Sequence, residues 1–429
     1  MKISNIICVL MIGLIITSCN REKSDIINPK DYNVYLDTNE NTTLQNSNLR
    51  LQFWNKKIKE DSLQIMAMAN AAQEYSLLFR VNGDISNVKK AEQLLTKTVD
   101  IAAIKKEGYL LTLAQNYISQ HRFKEAKNIA FGAYVLNPDI SAKMVLFDVS
   151  MELGEYQKAE EYLNEIADQN NYNFLIRLAK WNDYKGNLDA TIRNMEKAKI
   201  IAEQSKKVGL MLWSYTNLAD YYGHAGRIQD SYEHYLKALQ IDPSNAYAKK
   251  GIAWIAYSHE KNSEEALRII NKVLKTYQSP DYFLFKAEIV GFQDNKKAKR
   301  TNIEGYLESV KDKRYGEMYN VHNALLLAEE YQDYDKALQI AEKEIANRPT
   351  PQSYDLKAYI LNLKGSYKEA LHIANTYVVD QTFEPTAHLH MAQIFKSNEL
   401  AERVTGLKEE LLESAYELGP VTYQEIKSL

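Results

Sequence analysis

One order of residue types recurs along this chain: small, large, glycine, proline. It is most legible over 212–243, LWSYTNLADYYGHAGRIQDSYEHYLKALQIDP. Apolar residues at helical spacing, repeated about every 34 residues, restrict a chain to stacked helical hairpins, because one hairpin cannot bury its apolar face without neighbours. The small residue after each turn falls at Ala91, Ala126, Ala159, Thr191, Ser231, Ala266, Ala337 and Ala370, separated by 35, 33, 32, 40, 35, 71 and 33 residues. The 40-residue step predicts a lengthened second helix near 200–212. The 71-residue step predicts a decayed unit around 282–310, with Ala298 at its small position.

In the clearest unit Tyr215, Leu218, Ala219, Tyr222, Gly226, Ser231, Tyr235, Ala238 and Pro243 keep a fixed order. Leu113, Ala114, Tyr117, Ala126, Ala133 and Pro138 repeat it over 110–138. Leu325, Tyr334, Ala337 and Pro349 repeat it over 321–349, and Tyr354, Ala358, Gly365, Tyr367 and Ala370 over 354–378. Small side chains suit the points where paired helices cross, and large ones fill the gaps between pairs. Gly154, Gly186, Gly226 and Gly365 are placed to end first helices, and Pro138, Pro243 and Pro349 to stop second helices. The pattern resembles the tetratricopeptide repeat over most of residues 62–418. The resemblance implies an all-α fold, a right-handed superhelix (α-solenoid) of about nine helix-turn-helix units spanning 51–418.

The N-terminus carries a separate signal. Lys2 precedes an apolar run from Ile6 to Ile16, closed by Ile16-Thr17-Ser18-Cys19. Eleven helical residues at 1.5 Å each fall well short of a hydrocarbon core of about 30 Å. The segment resembles a bacterial lipoprotein signal peptide over residues 1–18, with Cys19 as the residue that would carry diacylglyceryl and N-acyl chains. Cys8 would leave with that peptide, so lipidation accounts for the remaining cysteine without a disulfide. No other cofactor or metal is expected. Residues 20–50 are polar and Asn-rich, and are expected to form a flexible tether. Asn20 after the cysteine favours outer-membrane sorting by analogy with other lipoproteins, with the periplasmic or surface face left open. Residues 408–417 are expected to form an amphipathic helix, a solubilising cap or alternatively a partner helix, followed by a tail at 419–429.

Without residues 1–18 the chain has 52 basic and 56 acidic side chains, a net charge of −4, which gives no footing for nucleic-acid binding. Lys296, Lys297, Lys299 and Arg300 cluster, but as a solvated face of the decayed unit. No Gly-rich phosphate loop, HExxH, GxSxG or paired-cysteine site occurs, so nothing points to an enzyme. His388 and His390 sit two apart, which on a helix turns them about 200° from each other. The run Asp37-Thr38-Asn39-Glu40-Asn41 opens like a calcium loop but has Thr42 and Asn48 where Gly and Glu are required.

In proteins of this type the first helices line a concave groove that takes extended or helical protein segments. Carrying the inward positions over nominates Gln115, Asp148, Met151, Lys180, Tyr184, Asp220, Ile255, His322, Leu326, Asp355 and Tyr359, with Trp213 and Tyr319 as aromatic anchors or, equally, as repeat-packing residues. Leu111, Gln115, Met144 and Asp148 stand where a chaperone-tail clamp would need Lys and Asn, which argues against that role. The expected function is a membrane-anchored scaffold binding envelope proteins. The alternative is a nutrient-binding lipoprotein resembling the SusD-like glycan binders. Those add aromatic-rich loops, whereas this chain is nearly all repeat and has only 4 Trp.

Overall fold

The computed structural model describes residues 25–38, 41–58 and 63–429. Cys19 and the segment before it lie outside the described residues. Two helices come first, α1 (Pro29–Asp37) and α2 (Thr42–Asn55). Hairpins follow: α3 (Ile65–Asn82) with α4 (Ile85–Ile101), α5 (Lys106–Ser119) with α6 (Phe123–Leu136), and α7 (Ile140–Glu152) with α8 (Tyr156–Glu165). Next are α9 (Tyr172–Tyr184) with α10 (Leu188–Ser205), and α11 (Val208–His224) with α12 (Ile228–Ile241). Helix α13 (Ala246–Trp254) runs into a π-helical turn, Ile255–His259, before α14 (Ser263–Val273). The series continues with α15 (Asp281–Phe292) and α16 (Lys296–Ser309), α17 (Asn320–Glu329) and α18 (Tyr334–Asn347), then α19 (Pro351–Leu363) and α20 (Tyr367–Tyr377). It closes with α21 (Pro385–Ser397), α22 (Ala401–Glu413) and α23 (Ala415–Ser428). Among the described residues all regular structure is helical, and the architecture is a tetratricopeptide-type α-solenoid.

A single backbone device marks every hairpin. One residue of each turn lies at left-handed φ: Gly83, His121, Gly154, Gly186, Gly226, Lys261, Asp294, Gln332, Gly365 and Glu399. Half are not glycine, and the missing glycine helps to hide the repeats that turn at Asp294 and Glu399. Five residues further on, Ala126, Ala159, Thr191, Ser231, Ala266, Ala337 and Ala370 are all fully buried where the two helices cross. Counted the same way, the first repeat uses Val88, one turn before the expected Ala91, and the last uses Val404. The hidden unit is present as α15–α16, but its small position holds Lys299, while Ala298 is half-buried beside it. Lysine fits because its stem runs past Gly291, where an added Cβ would come within 3.3 Å, and its ammonium pairs with Glu330.

The extra length at 200–212 is shared between two helices. Helix α10 stops at Ser205, Lys206 takes left-handed φ, and α11 starts at Val208. Residues 29–37 and 42–50, expected to be flexible, are helical, the latter as the start of α2. Asn28 caps α1 by accepting from the Lys30 N–H at 3.1 Å, Pro29 opens it, and Asn41 caps α2. Tyr32 is fully buried and its hydroxyl donates to Glu265, while Lys272 pairs with Asp37 at 2.8 Å. Helix α1 is thus strapped across α12 and α14. Asp37 ends α1 and Asn41 caps α2.

The solenoid also stacks on itself. The turn at Gly83 meets Gln278, that at Gly154 meets Pro349, and that at Gly186 meets Phe383, with nearly the same length of chain between partners each time. The Gln278 N–H donates to the Asn82 carbonyl at 2.8 Å, Asn347 Nδ2 to the His121 carbonyl at 3.0 Å, and Arg348 pairs with Glu152 at 3.2 Å. One superhelical turn therefore rests on the next. Among the described residues no helix is long and apolar enough to cross a membrane.

Candidate binding face

First helices of consecutive repeats pack on one another, α5 on α7, α7 on α9, α11 on α13 and α19 on α21, which puts them on the tighter, inner side of the curve. Where the two superhelical turns face each other this side opens into a cavity of about 660 Å³. Helices α7 and α9 supply one wall with Met151, Glu152, Lys180, Asp183 and Tyr184. The 348–352 and 382–385 loops and the α22–α23 junction supply the other.

The cavity floor is ion-paired and its rim is acidic. Lys180 reaches Glu152 at 2.8 Å, and Arg348 bridges Glu152 at 3.2 Å and Glu344 at 2.7 Å. Burial works against the Glu152 carboxylate, but Lys180 and Arg348 outweigh it and hold its pKa below the ordinary range. Around the opening stand Asp183, Glu384, Glu410, Glu413 and Glu417, with His224 3.6 Å from Glu417. Burial, reinforced by Glu384, pushes Asp183 up to about 6. Tyr184 stacks on Tyr156 with ring centres 4.0 Å apart, and the exposed Phe383 ring covers Gly186. The arrangement offers carboxylates and aromatic faces together, and among the described residues there is no group of three or more His, Cys, Asp or Glu able to hold a metal ion.

Of the positions nominated from the sequence, Met151, Lys180 and Tyr184 line this cavity. Gln115, His322 and Trp213 stay exposed elsewhere, Trp213 with an edge contact to Tyr172. The others are committed to structure. Asp148 pairs with Arg177 at 2.5 Å. Asp220 accepts from Tyr235 and, at 2.6 Å, from Tyr247. Ile255 is fully buried in the π turn, and Leu326 packs under Tyr306. Tyr319 packs edge-on to Tyr306 and Tyr315, the repeat-packing role of its two expected ones. Asp355 is buried and accepts from His390 at 2.7 Å, and Tyr359 stacks on the same imidazole at 3.8 Å. His388 instead faces Glu410 and the Thr382 carbonyl, so the two histidines serve different partners. Reading inward positions repeat by repeat assumes an empty groove, and this groove is partly filled.

The filling is the chain's own C-terminus. The expected tail is helical: α23 runs to Ser428, separated from α22 at Ser414 and broken at Gly419. It packs on α11, the π turn, α15 and α21, all inner-face elements. The residues that sequence reasoning missed, Arg348, Phe383, Glu384 and Glu417, come from distant turns, and no spacing rule links them to α7 or α9.

No protein-family model matches the chain, and no curated protein matches it. Among solved structures it is similar to a tetratricopeptide repeat protein from Parabacteroides merdae, at 16% identity over 56% of this chain and 93% of that one, with a TM-score of 0.39. It is similar to human IFIT1, described as a dimer with m7Gppp-AAAA, at 14% identity over 77% and 75% with a TM-score of 0.46. It is also similar to yeast Tom70, at 13% identity over 85% and 88% with a TM-score of 0.39.

Proposed function

We propose that this tetratricopeptide-type solenoid is a lipid-anchored scaffold that holds segments of other envelope proteins on its inner face, without turnover. The observation that carries the reading is the cavity between the two superhelical turns. Its acidic rim and its Tyr156, Tyr184 and Phe383 rings are chemistry that helix packing does not require. A segment bearing lysine or arginine beside an apolar side chain matches it.

Membrane attachment rests on the sequence signal ending at Cys19. Helix α1 refines what such an anchor would do. Ile27 is already docked, its N–H donating to Glu260 at 2.8 Å, so the chain from Cys19 reaches at most about 30 Å. An anchored solenoid would hold its α12–α14 side close to the bilayer instead of swinging on a long tether. Cys19→Ala is expected to abolish acyl-lipid labelling and move the protein to the soluble fraction; retention in membranes would refute lipid anchoring.

The binding reading is tested with a photo-crosslinking residue at position 183 in cells, against the same residue at position 160 on the outer helix α8. Position 183 is expected to give protein adducts that disappear when Glu384 and Glu417 are changed to Lys. Equal adducts from both positions would sink the scaffold reading.

A further inference from the structure

The manner in which α23 is held looks like recognition of a segment, not like one more packed helix. Its buried residues are few, Gly419, Pro420 and Ile426, yet its main chain is read in detail. Pro420 has no N–H, so the Tyr416 carbonyl four residues before it has no helical donor. That carbonyl is taken by two side chains of the inner face, Trp254 Nε1 at 3.1 Å and Ser258 Oγ at 2.6 Å.

Each partner is shaped for the task. A helical serine commonly turns its hydroxyl back to the carbonyl four residues earlier. Ser258 lies in the π-helical turn Ile255–His259, and its hydroxyl crosses to the other segment instead. Such turns cost regular hydrogen bonding and concentrate at functional sites. Opposite the Tyr416 ring stands Gly223, where a Cβ would sit 2.5 Å from the ring and have Tyr416 atoms as its nearest neighbours. Gly419 has φ 81° and ψ 167°, a backbone open only to glycine, and a side chain there would strike Glu288 and Trp254. The inner face therefore reads an aromatic residue, an unpaired carbonyl and a glycine–proline break, in that order.

We propose that α23 is the resident ligand of a segment-recognition site built by α11, α13, the π turn and α15. A partner protein that carries an aromatic residue four before a proline, with glycine directly before that proline, binds by displacing it. This rests on the reading of the inner face as protein-binding, and names the partner's chemistry. Burial raises the pKa of both Glu417 on α23 and Glu288 beside Gly419, so seating α23 confines carboxylates that water would otherwise solvate. Displacement would also open the cavity, since Glu417 and Ser414 form part of its wall.

The probe is a fluorescent synthetic peptide of residues 414–429, titrated by anisotropy into the full chain. Tyr416→Ala weakens the resident segment and is expected to tighten peptide binding at least tenfold over the wild type. Adding Gly223→Ala to that variant fills the ring's seat and is expected to cut binding at least tenfold. Gly223 lies within a helix, where alanine is the better helix former, so the double variant keeps its fold, and circular dichroism verifies this. No binding to Tyr416→Ala, or equal binding to single and double variants, overturns the proposal. Crosslinked partners at position 183 that ignore Gly223→Ala refute this site while leaving the scaffold standing. Peptide binding without any crosslinked partner refutes the scaffold and supports the site.

Discussion

The same inner face is open beside α7 and α9 and closed beside α11, α13 and α15. On the open side Lys180, Glu152 and Arg348 neutralise one another, and the surplus charge gathers at the rim with Asp183, Glu384 and Glu417. On the closed side the wall is apolar and aromatic, with Tyr257 fully buried among Trp254, Phe285 and Phe292, and α23 lies over it. One repeat architecture therefore supports two inner surfaces. The hairpin positions are common to both; the residues aimed inward differ.

The closed side breaks most severely at Tyr257. Truncation to alanine leaves a large void under the π turn and is expected to cost about 3–5 kcal/mol, read by chemical denaturation. Tyr184→Ala, in the open wall, is expected to cost less than half as much, because its ring already faces the cavity. Equal losses would mean that the two sides are packed alike.

Protonation separates the sides more gently. Glu288, pushed up to about 7 by burial, is bound to its proton more tightly in the folded chain than in the unfolded one. Its favourable contribution is complete below the unfolded value near 4.5 and is lost as pH rises through about 7. Glu288→Gln is accordingly expected to stabilise the protein by about 1–2 kcal/mol at pH 8 and by nothing at pH 4, in paired thermal melts. Asp183 follows the same sign in a window ending near 6. Its exposure to the cavity limits the gain of Asp183→Asn to about 1 kcal/mol or less.

The smallest expected effect concerns the turns that both sides share. Gln332 and Glu399 hold left-handed φ without being glycine. Gln332→Gly or Glu399→Gly is expected to stabilise by about 0.5–1 kcal/mol, the relief of left-handed strain less the added chain entropy. The same change at Ala337, fully buried at a helix crossing, is expected to destabilise.

Much of the frame was legible because its signals are local. Gly226, Ser231 and Pro243 act on their own turn, crossing and stop, so their order survives in one dimension. The pattern fades where a local signal is replaced. Asp294 stands in for glycine and Lys299 for alanine in the hidden repeat, and Gly291 makes room for the latter from another helix. At 29–37 an Asn-rich composition masks an Asn cap and a helix-opening proline. The candidate site was legible only in part. Met151, Lys180 and Tyr184 share a periodic register, while Arg348, Phe383 and Glu417 reach the same cavity from another superhelical turn.

By itself, then, the sequence determined the repeating unit, its helical hairpins and the buried small residues at their crossings, because each of those depends on contacts within some forty residues of chain. The tertiary structure alone decided which turns stack, where the cavity opens and what lies in the groove. Those outcomes depend on the accumulated rotation of many repeats and on the close approach of Gly186 to Phe383 and Gly223 to Tyr416, groups that no periodicity connects.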